Sequence, residues 1–201
     1  MEFLVKVLAA YLLGSVIGSL VLGRLKGVDI RQMGSGNAGA TNAIRTQGAA
    51  FGIAVFAIDL AKGWLAAAVL PALEIPGMSA APITAHLAAW LAPACGFAAI
   101  LGHVFPAWHG FRGGKGVATA AGALLGLHPP TALLALVIWL AVFKLTRTSS
   151  IAALVALPLC LPFLAWQQSA ALWPMALLAC LIVWRHRNNL RDLLAGTERH
   201  F

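Results

Sequence analysis

Seven apolar runs, at approximately 3–22, 51–71, 82–102, 117–127, 131–143, 151–166 and 169–184, follow one another with only short polar or proline-bearing links between them. Backbone crossing hydrocarbon must satisfy its own hydrogen bonds, and segments of about 20 apolar residues do so as helices. With 61% hydrophobic and 10% charged residues in a chain of 201, the apolar side chains exceed what one soluble core of this length can hide. The pattern predicts an all-α polytopic membrane protein of about seven transmembrane helices, a single integral membrane domain over residues 1–201. The first run is too long for the apolar core of a cleaved signal and lacks a small-residue cleavage pattern, so it is expected to be a retained helix.

Charge sets the expected orientation. If all seven runs cross, one set of links carries Arg24, Lys26, Arg31, Arg45, Arg112, Lys115, Lys144, Arg147, Arg185, Arg187, Arg191 and Arg199, which is twelve of the fourteen Lys and Arg residues. The links at 71–81, 128–130 and 166–168 carry none. By the positive-inside rule the basic side is cytoplasmic, with the N-terminus outside and the C-terminus inside. The net charge of +8 is thus topological, and nucleic acid is not an expected partner. The weak point is 117–143, where His128-Pro129-Pro130 leaves a first arm of roughly 17 Å against a hydrocarbon core near 30 Å, so short or partly re-entrant helices are expected there. Cys95, Cys160 and Cys180 stand singly inside apolar runs, which excludes a disulfide framework or zinc site and predicts buried packing roles.

Two glycine-rich polar segments interrupt this apolar sequence: GSGNAGATNAIR at 34–45 and GHVFPAWHGFRGGKG at 102–116. Each joins close-approach glycines to a cation and to hydroxyl or amide groups, the chemistry that holds phosphate oxygens. In the first, Ser35, Gly36, Asn37, Thr41, Asn42 and Arg45 are the candidates, with a short helix over 38–46 presenting its N-terminus to an anion; the alternative is a capped interfacial helix with a topogenic arginine. The second is not a nucleotide P-loop, because that motif needs Gly six residues before the Lys and Ser or Thr after it, and His109 and Gly116 stand there. Lys115 beside Gly113 and Gly114 can still act as a point charge on a phosphate. His103 is open between a ligand contact and a satisfied structural histidine.

Asp59 and Lys62, three apart within the second run, are expected to pair on one helical face as structural support. After the last run, His186 and Asn189 share a face and fit polyol binding or proton handling. Ser150 offers a hydroxyl or a helix N-cap. All four clusters (34–48, 102–116, 147–150 and 184–198) fall on the cytoplasmic side of the expected topology. No group of carboxylates or histidines has metal-ligand spacing, so neither metal nor other cofactor is expected.

These residues resemble the bacterial acyl-phosphate-dependent glycerol-3-phosphate acyltransferases. The resemblance is carried by the 34–45 segment, Asp59-x-x-Lys62-Gly63, GHVFPAWHGFRGGKGVAT at 102–119, and His186-Arg187-x-Asn189 with Gly196-x-Glu198. It implies a seven-helix inner-membrane enzyme with a cytoplasmic active site, with acyl phosphate and glycerol-3-phosphate as substrates and membrane lipid around it. By the same resemblance Ser35 and Arg45 lie at the phosphate-handling centre, Gly113, Gly114 and Lys115 bind glycerol-3-phosphate, His186 and Asn189 lie at the glycerol end, and Glu198 is structural. One departure is Arg147-Thr148-Ser149-Ser150 where the family has Arg-Tyr-x-Ser. No histidine has Asp five positions later, unlike the thioester-dependent acyltransferases, since Asp192 is six from His186. The competing class is a small anion or phosphoester transporter, against which stand the one-sided cations and the absence of an internal repeat.

Overall fold

The computed structural model describes residues 1–76, 84–167 and 169–199, and their regular structure is helical throughout. The 71–81 link and the start of the 82–102 run fall partly on residues outside this set, as does residue 168. The described residues group into two compact units, which divide after Leu127.

The first unit contains α1 (Glu2–Gly14), α2 (Gly18–Leu25), α3 (Ala40–Gln47), α4 (Ala49–Trp64, continued by a π-helical turn to Val69 and a 3-10 turn to Ala72), α5 (Ala85–Val104) and α6 (Val117–Leu127). Small residues decide how these pack. A Cβ at Gly63 would strike the Thr119 carbonyl, and one at Gly122 would strike the Leu60 carbonyl, so α4 and α6 touch backbone to backbone. Gly14 meets Ala99 on α5 in the same way, whereas Gly18 faces Val55 and Ile58 on α4. The Gly14-x-x-x-Gly18 motif therefore joins α1 and α2 to two different helices of the same unit.

The first apolar run, expected as one helix, is two helices that meet at 47°. A break at membrane depth is tolerated only where the freed backbone groups find partners. Here Lys62 Nζ donates to Val16 O at 2.6 Å and Asp59 Oδ1 accepts from Gly18 N–H at 3.2 Å. The predicted Asp59–Lys62 pair forms, at 2.8 Å with both side chains buried, and it stitches the break.

The second unit contains α7 (Pro129–Thr146), α8 (Ser149–Gln167), α9 (Ser169–Arg185) and α10 (Arg187–Leu194), with α8 packed between α7 and α9. On α9 the buried residues Ala171, Met175, Leu178 and Ile182 recur at helical spacing and form one stripe. Cys95 and Cys160 are buried as expected, but Cys180 is exposed: position 180 falls off that stripe, on the side shared with the exposed Leu177 and Trp184. Helix α8 begins at Ser149, two residues too early for Ser150 to be its N-cap.

Among the described residues four helices are long and apolar enough to cross a membrane (Ala49–Ala72, Leu87–His109, Pro129–Thr146 and Ser149–Gln167), and a fifth crossing results if the bent α1–α2 pair counts as one span. Helix α6, with 11 residues, and Ala171–Arg185 are apolar but shorter. The two cations away from the polar links, Lys6 and Lys62, are buried and paired, Lys6 with Glu2 at 2.7 Å and with Pro71 O at 2.8 Å.

Candidate active site

The loop before α3 is organised by Asn42. Its Oδ1 accepts from Ser35 N–H at 2.9 Å, and its amide donates to Ile30 O, Met33 O and Asn37 O at 3.2, 2.9 and 3.0 Å. Both ends of a buried side chain are thus bonded to the loop's own backbone. Sequence placed Asn42 among substrate contacts; the structure gives it the task of shaping the loop that presents Ser35, Gly36 and Asn37. Helix α3 starts at Ala40, two residues later than expected, and carries Arg45 in its last turn. Thr41 and Arg45, four apart, share one face, and Arg45 is exposed.

The second segment leaves α5 through a tight return in which Gly114 N–H donates to His103 O at 3.1 Å and Gly113 N–H to Val104 O at 3.2 Å. A Cβ at Gly113 would hit the His103 carbonyl, and one at Gly114 would hit the His103 ring at Nε2. These glycines allow the loop to lie directly on the histidine. His103 is itself buried, with Nδ1 2.9 Å from Lys62 Nζ and 3.5 Å from Asp59 Oδ1. Asp59 Oδ2 is buried without a hydrogen-bond partner, so the carboxylate works through one oxygen. Lys115 is half-buried and precedes the start of α6.

Residues that sequence had left aside hold the two segments together. Arg31, read as a topogenic charge, pairs with Asp29 through Nε and Nη2 (3.0 and 2.7 Å), while its Nη1 donates to His109 O at 3.3 Å and Arg112 O at 3.4 Å. The hydrogen bond from Arg31 holds the Asp29 carboxyl below its usual range and raises Arg31 in turn. From the α1–α2 break, Ser15 Oγ accepts from Ala107 N–H at 3.2 Å and Ser19 Oγ donates to Ala38 O at 2.7 Å. Tyr11 adds a bond to Phe105 O at 2.7 Å. The available signal was two serines flanking Gly18 in an apolar run, one turn apart.

In the second unit, Glu198 Oε1 accepts from Ser150 Oγ at 2.6 Å and from Asn189 Nδ2 at 2.7 Å. One carboxylate oxygen thereby ties the start of α8 to α10. His186, 2% exposed, has Nδ1 2.8 Å from Ile182 O. A carbonyl only accepts, so Nδ1 bears a proton, and in the neutral form of the ring Nε2 would be the acceptor nitrogen. Among the described residues no three His, Cys, Asp or Glu side chains gather into a group able to hold a metal ion.

A family model described as glycerol-3-phosphate acyltransferase matches residues 4–196. A protein of that name from Pseudomonas fluorescens (strain Pf0-1) is 55% identical over 193 residues, 96% of each chain. Another from Pseudomonas syringae pv. syringae (strain B728a) is 54% identical over 195 residues, 96% of this chain and 94% of the relative. Among solved structures, the glycerol 3-phosphate form of PlsY (YgiH), an integral membrane glycerol 3-phosphate acyltransferase, superposes with a TM-score of 0.86 at 36% identity, covering 100% of this chain and 96% of the other. The lysphosphatidic acid form of the same protein gives 0.84 at 35% identity.

Proposed function

Because the chain belongs to the glycerol-3-phosphate acyltransferase family, we propose that it transfers a fatty acyl group from acyl phosphate to the C1 hydroxyl of glycerol-3-phosphate, giving lysophosphatidic acid and inorganic phosphate. The observation that carries the reading is the joining, by Arg31 and the α1–α2 break, of two glycine-rich segments that each bring a cation, Arg45 and Lys115. Lys115 binds a phosphate, carried by the tight return in which the Gly113 and Gly114 N–H groups are bonded to Val104 O and His103 O, with His103 behind it. Ser35, Gly36, Asn37, Thr41 and Arg45 stabilise charge on the departing phosphate and the acyl oxygen, which is where preorganised donors accelerate acyl transfer most. Asn42, Asp59, Lys62 and Glu198 support these groups. In the reaction the C1 oxygen bonds to the acyl carbon, the bond from that carbon to the phosphate oxygen breaks, and the hydroxyl proton leaves to an acceptor.

For the second unit the proposal is narrower. His186, whose Nδ1 is bonded to Ile182 O, would accept that proton at Nε2 in its neutral form, a phosphate oxygen being the competing acceptor, and Asn189 and Ser150 are held by Glu198. Residues 1–201 are proposed to work as one acyltransferase crossing the bacterial inner membrane seven times, with its N-terminus outside and the reaction on the cytoplasmic side. The pairing of Lys6 and Lys62 inside the protein supports this orientation, because the remaining twelve cations then all belong to one set of links.

Purified protein given glycerol-3-phosphate with palmitoyl phosphate should form lysophosphatidic acid in the presence of chelator, and palmitoyl coenzyme A should not substitute. Strict dependence on the thioester, or on added magnesium, would refute the proposed donor chemistry. Single cysteines near 36, 110 and 148 should be labelled from the cytoplasm; labelling of 148 from outside would refute seven crossings.

A further inference from the structure

We propose that Lys62 and Asp59 lock His103 as the Nε2–H tautomer, so that the glycine-rich loop meets a fixed neutral donor, and that Lys62 is thereby a positioning residue for the reaction. The inference rests on the proposed role of that loop in holding phosphate.

The lock follows from counting protons. An ammonium has three N–H donors and no acceptor. Lys62 Nζ has three neighbours at bonding distance: Val16 O at 2.6 Å, Asp59 Oδ1 at 2.8 Å and His103 Nδ1 at 2.9 Å. The first two can only accept, so the third N–H meets Nδ1, which must present its lone pair. The competing arrangement moves the proton to the ring, with His103 cationic toward Asp59. Two observations oppose it. The ring lies closer to the ammonium than to the carboxylate, 2.9 against 3.5 Å, and the longer distance is at the edge of hydrogen bonding. In addition, Lys62 already meets the buried carboxylate at 2.8 Å, and that carboxylate calls for one counter-charge only.

With Nδ1 accepting, the ring proton is on Nε2, the atom that a Cβ at Gly114 would strike. His103 is faced from α4 by Asp59 and Lys62 and from the loop by the backbone of Gly113 and Gly114. His186 has the opposite assignment, with its proton on Nδ1. The two buried histidines are therefore different tools: His103 donates and cannot serve as base, while His186 accepts.

The test uses nitrogen NMR of the full chain in detergent at pH 7, with His103 assigned by the signal lost in His103→Gln. The wild-type ring should show a protonated Nε2 and a bare Nδ1. In Lys62→Met, Asp59 loses its counter-ion and the ring should take up a second proton, with KM for glycerol-3-phosphate rising by roughly tenfold, the lower end of the loss when a metal-bound histidine loses the group behind it, and kcat changing less. Glutamine can place an N–H near the Nε2 position and asparagine near Nδ1, so His103→Gln should keep at least about tenfold more kcat/KM than His103→Asn. A wild-type ring protonated at Nδ1, an unaltered ring in Lys62→Met, or asparagine matching glutamine would each overturn the proposal; if Lys62→Met does not fold, the wild-type spectrum and the glutamine–asparagine pair decide it. The expected tautomer in a protein that fails to acylate glycerol-3-phosphate would refute the proposed reaction and leave the lock standing.

Discussion

Removing Glu198 isolates the cost of breaking one shared hydrogen-bond acceptor. Its Oε1 takes bonds from Ser150 at 2.6 Å and Asn189 at 2.7 Å, both to a charged group, each worth about 1.5–3 kcal/mol. Ser150 is buried at 7% exposure, so water cannot readily replace its lost partner, whereas Asn189 is half-buried and can turn to solvent. Nearly all of the Ser150 bond and part of the Asn189 bond should therefore be lost in Glu198→Ala, a destabilisation of about 2–4 kcal/mol. Glu198→Gln keeps a carbonyl able to accept both bonds and loses only the charge assistance, for about 1–2 kcal/mol. The assay is thermal unfolding in detergent followed by tryptophan fluorescence, where a chain of this size shifts by roughly 2–4 °C per kcal/mol. Ser150→Ala combined with Glu198→Ala should be milder than the sum of the two, by at least about 0.5 kcal/mol. Unfolding of Glu198→Ala within 1 °C of wild type, or strict additivity with Ser150→Ala, would refute the shared-acceptor account.

Gly122→Ala forces a methyl group against the Leu60 carbonyl and should destabilise by about 1–3 kcal/mol, read as a lower unfolding midpoint without a matching change in KM of the surviving enzyme. Asp29 has its folded-state carboxyl below the ordinary value of 3.8, so its contribution is complete above that value and is lost as pH falls through the lower folded value; the stability gap between wild type and Asp29→Asn should be constant near neutrality and close below about pH 4. Arg45→Lys keeps charge and loses the planar fork, so it should fail by on the order of 10²–10³ in kcat/KM, while Lys115→Arg keeps part of its activity. If both cations serve one ligand, the Arg45→Ala, Lys115→Ala double variant should lose clearly less than the sum of the single losses.

Helix class, the short α3 and the Asp59–Lys62 pair were legible because each rests on local spacing: apolar runs of crossing length, small residues ahead of Arg45, and charges three apart. The employment of Asn42 and Arg31 was not legible, because an amide or a guanidinium reads the same whether it faces a ligand or three carbonyls from another turn of the loop. Only the fold supplies those carbonyls, Ile30 O, Met33 O and Asn37 O for one and His109 O and Arg112 O for the other.

The break at 15–17 shows the same limit from the side of secondary structure. Nothing in the residues from Phe3 to Leu22 demands a bend, since the run lacks proline and its serines and glycines are tolerated in membrane helices. What makes the bend affordable is 41 to 46 residues away: an ion pair that would itself be unfavourable in hydrocarbon unless something polar met it. Val16 O and Gly18 N–H are what meets it. Each feature alone would be a defect, a broken helix on one side and buried charges on the other, and together they place Lys62 where its third proton reaches His103. A substitution that straightens the first helix should therefore act on the histidine as well as on the fold, and Ser15→Ala, which removes the hydroxyl bonded to Tyr11 O and Ala107, tests this at the least cost to packing. Its expected signature is a rise in KM for glycerol-3-phosphate accompanied by a changed His103 nitrogen spectrum. A raised KM with an unchanged spectrum would mean that the break positions the loop through Ala107 alone, without passing through Lys62.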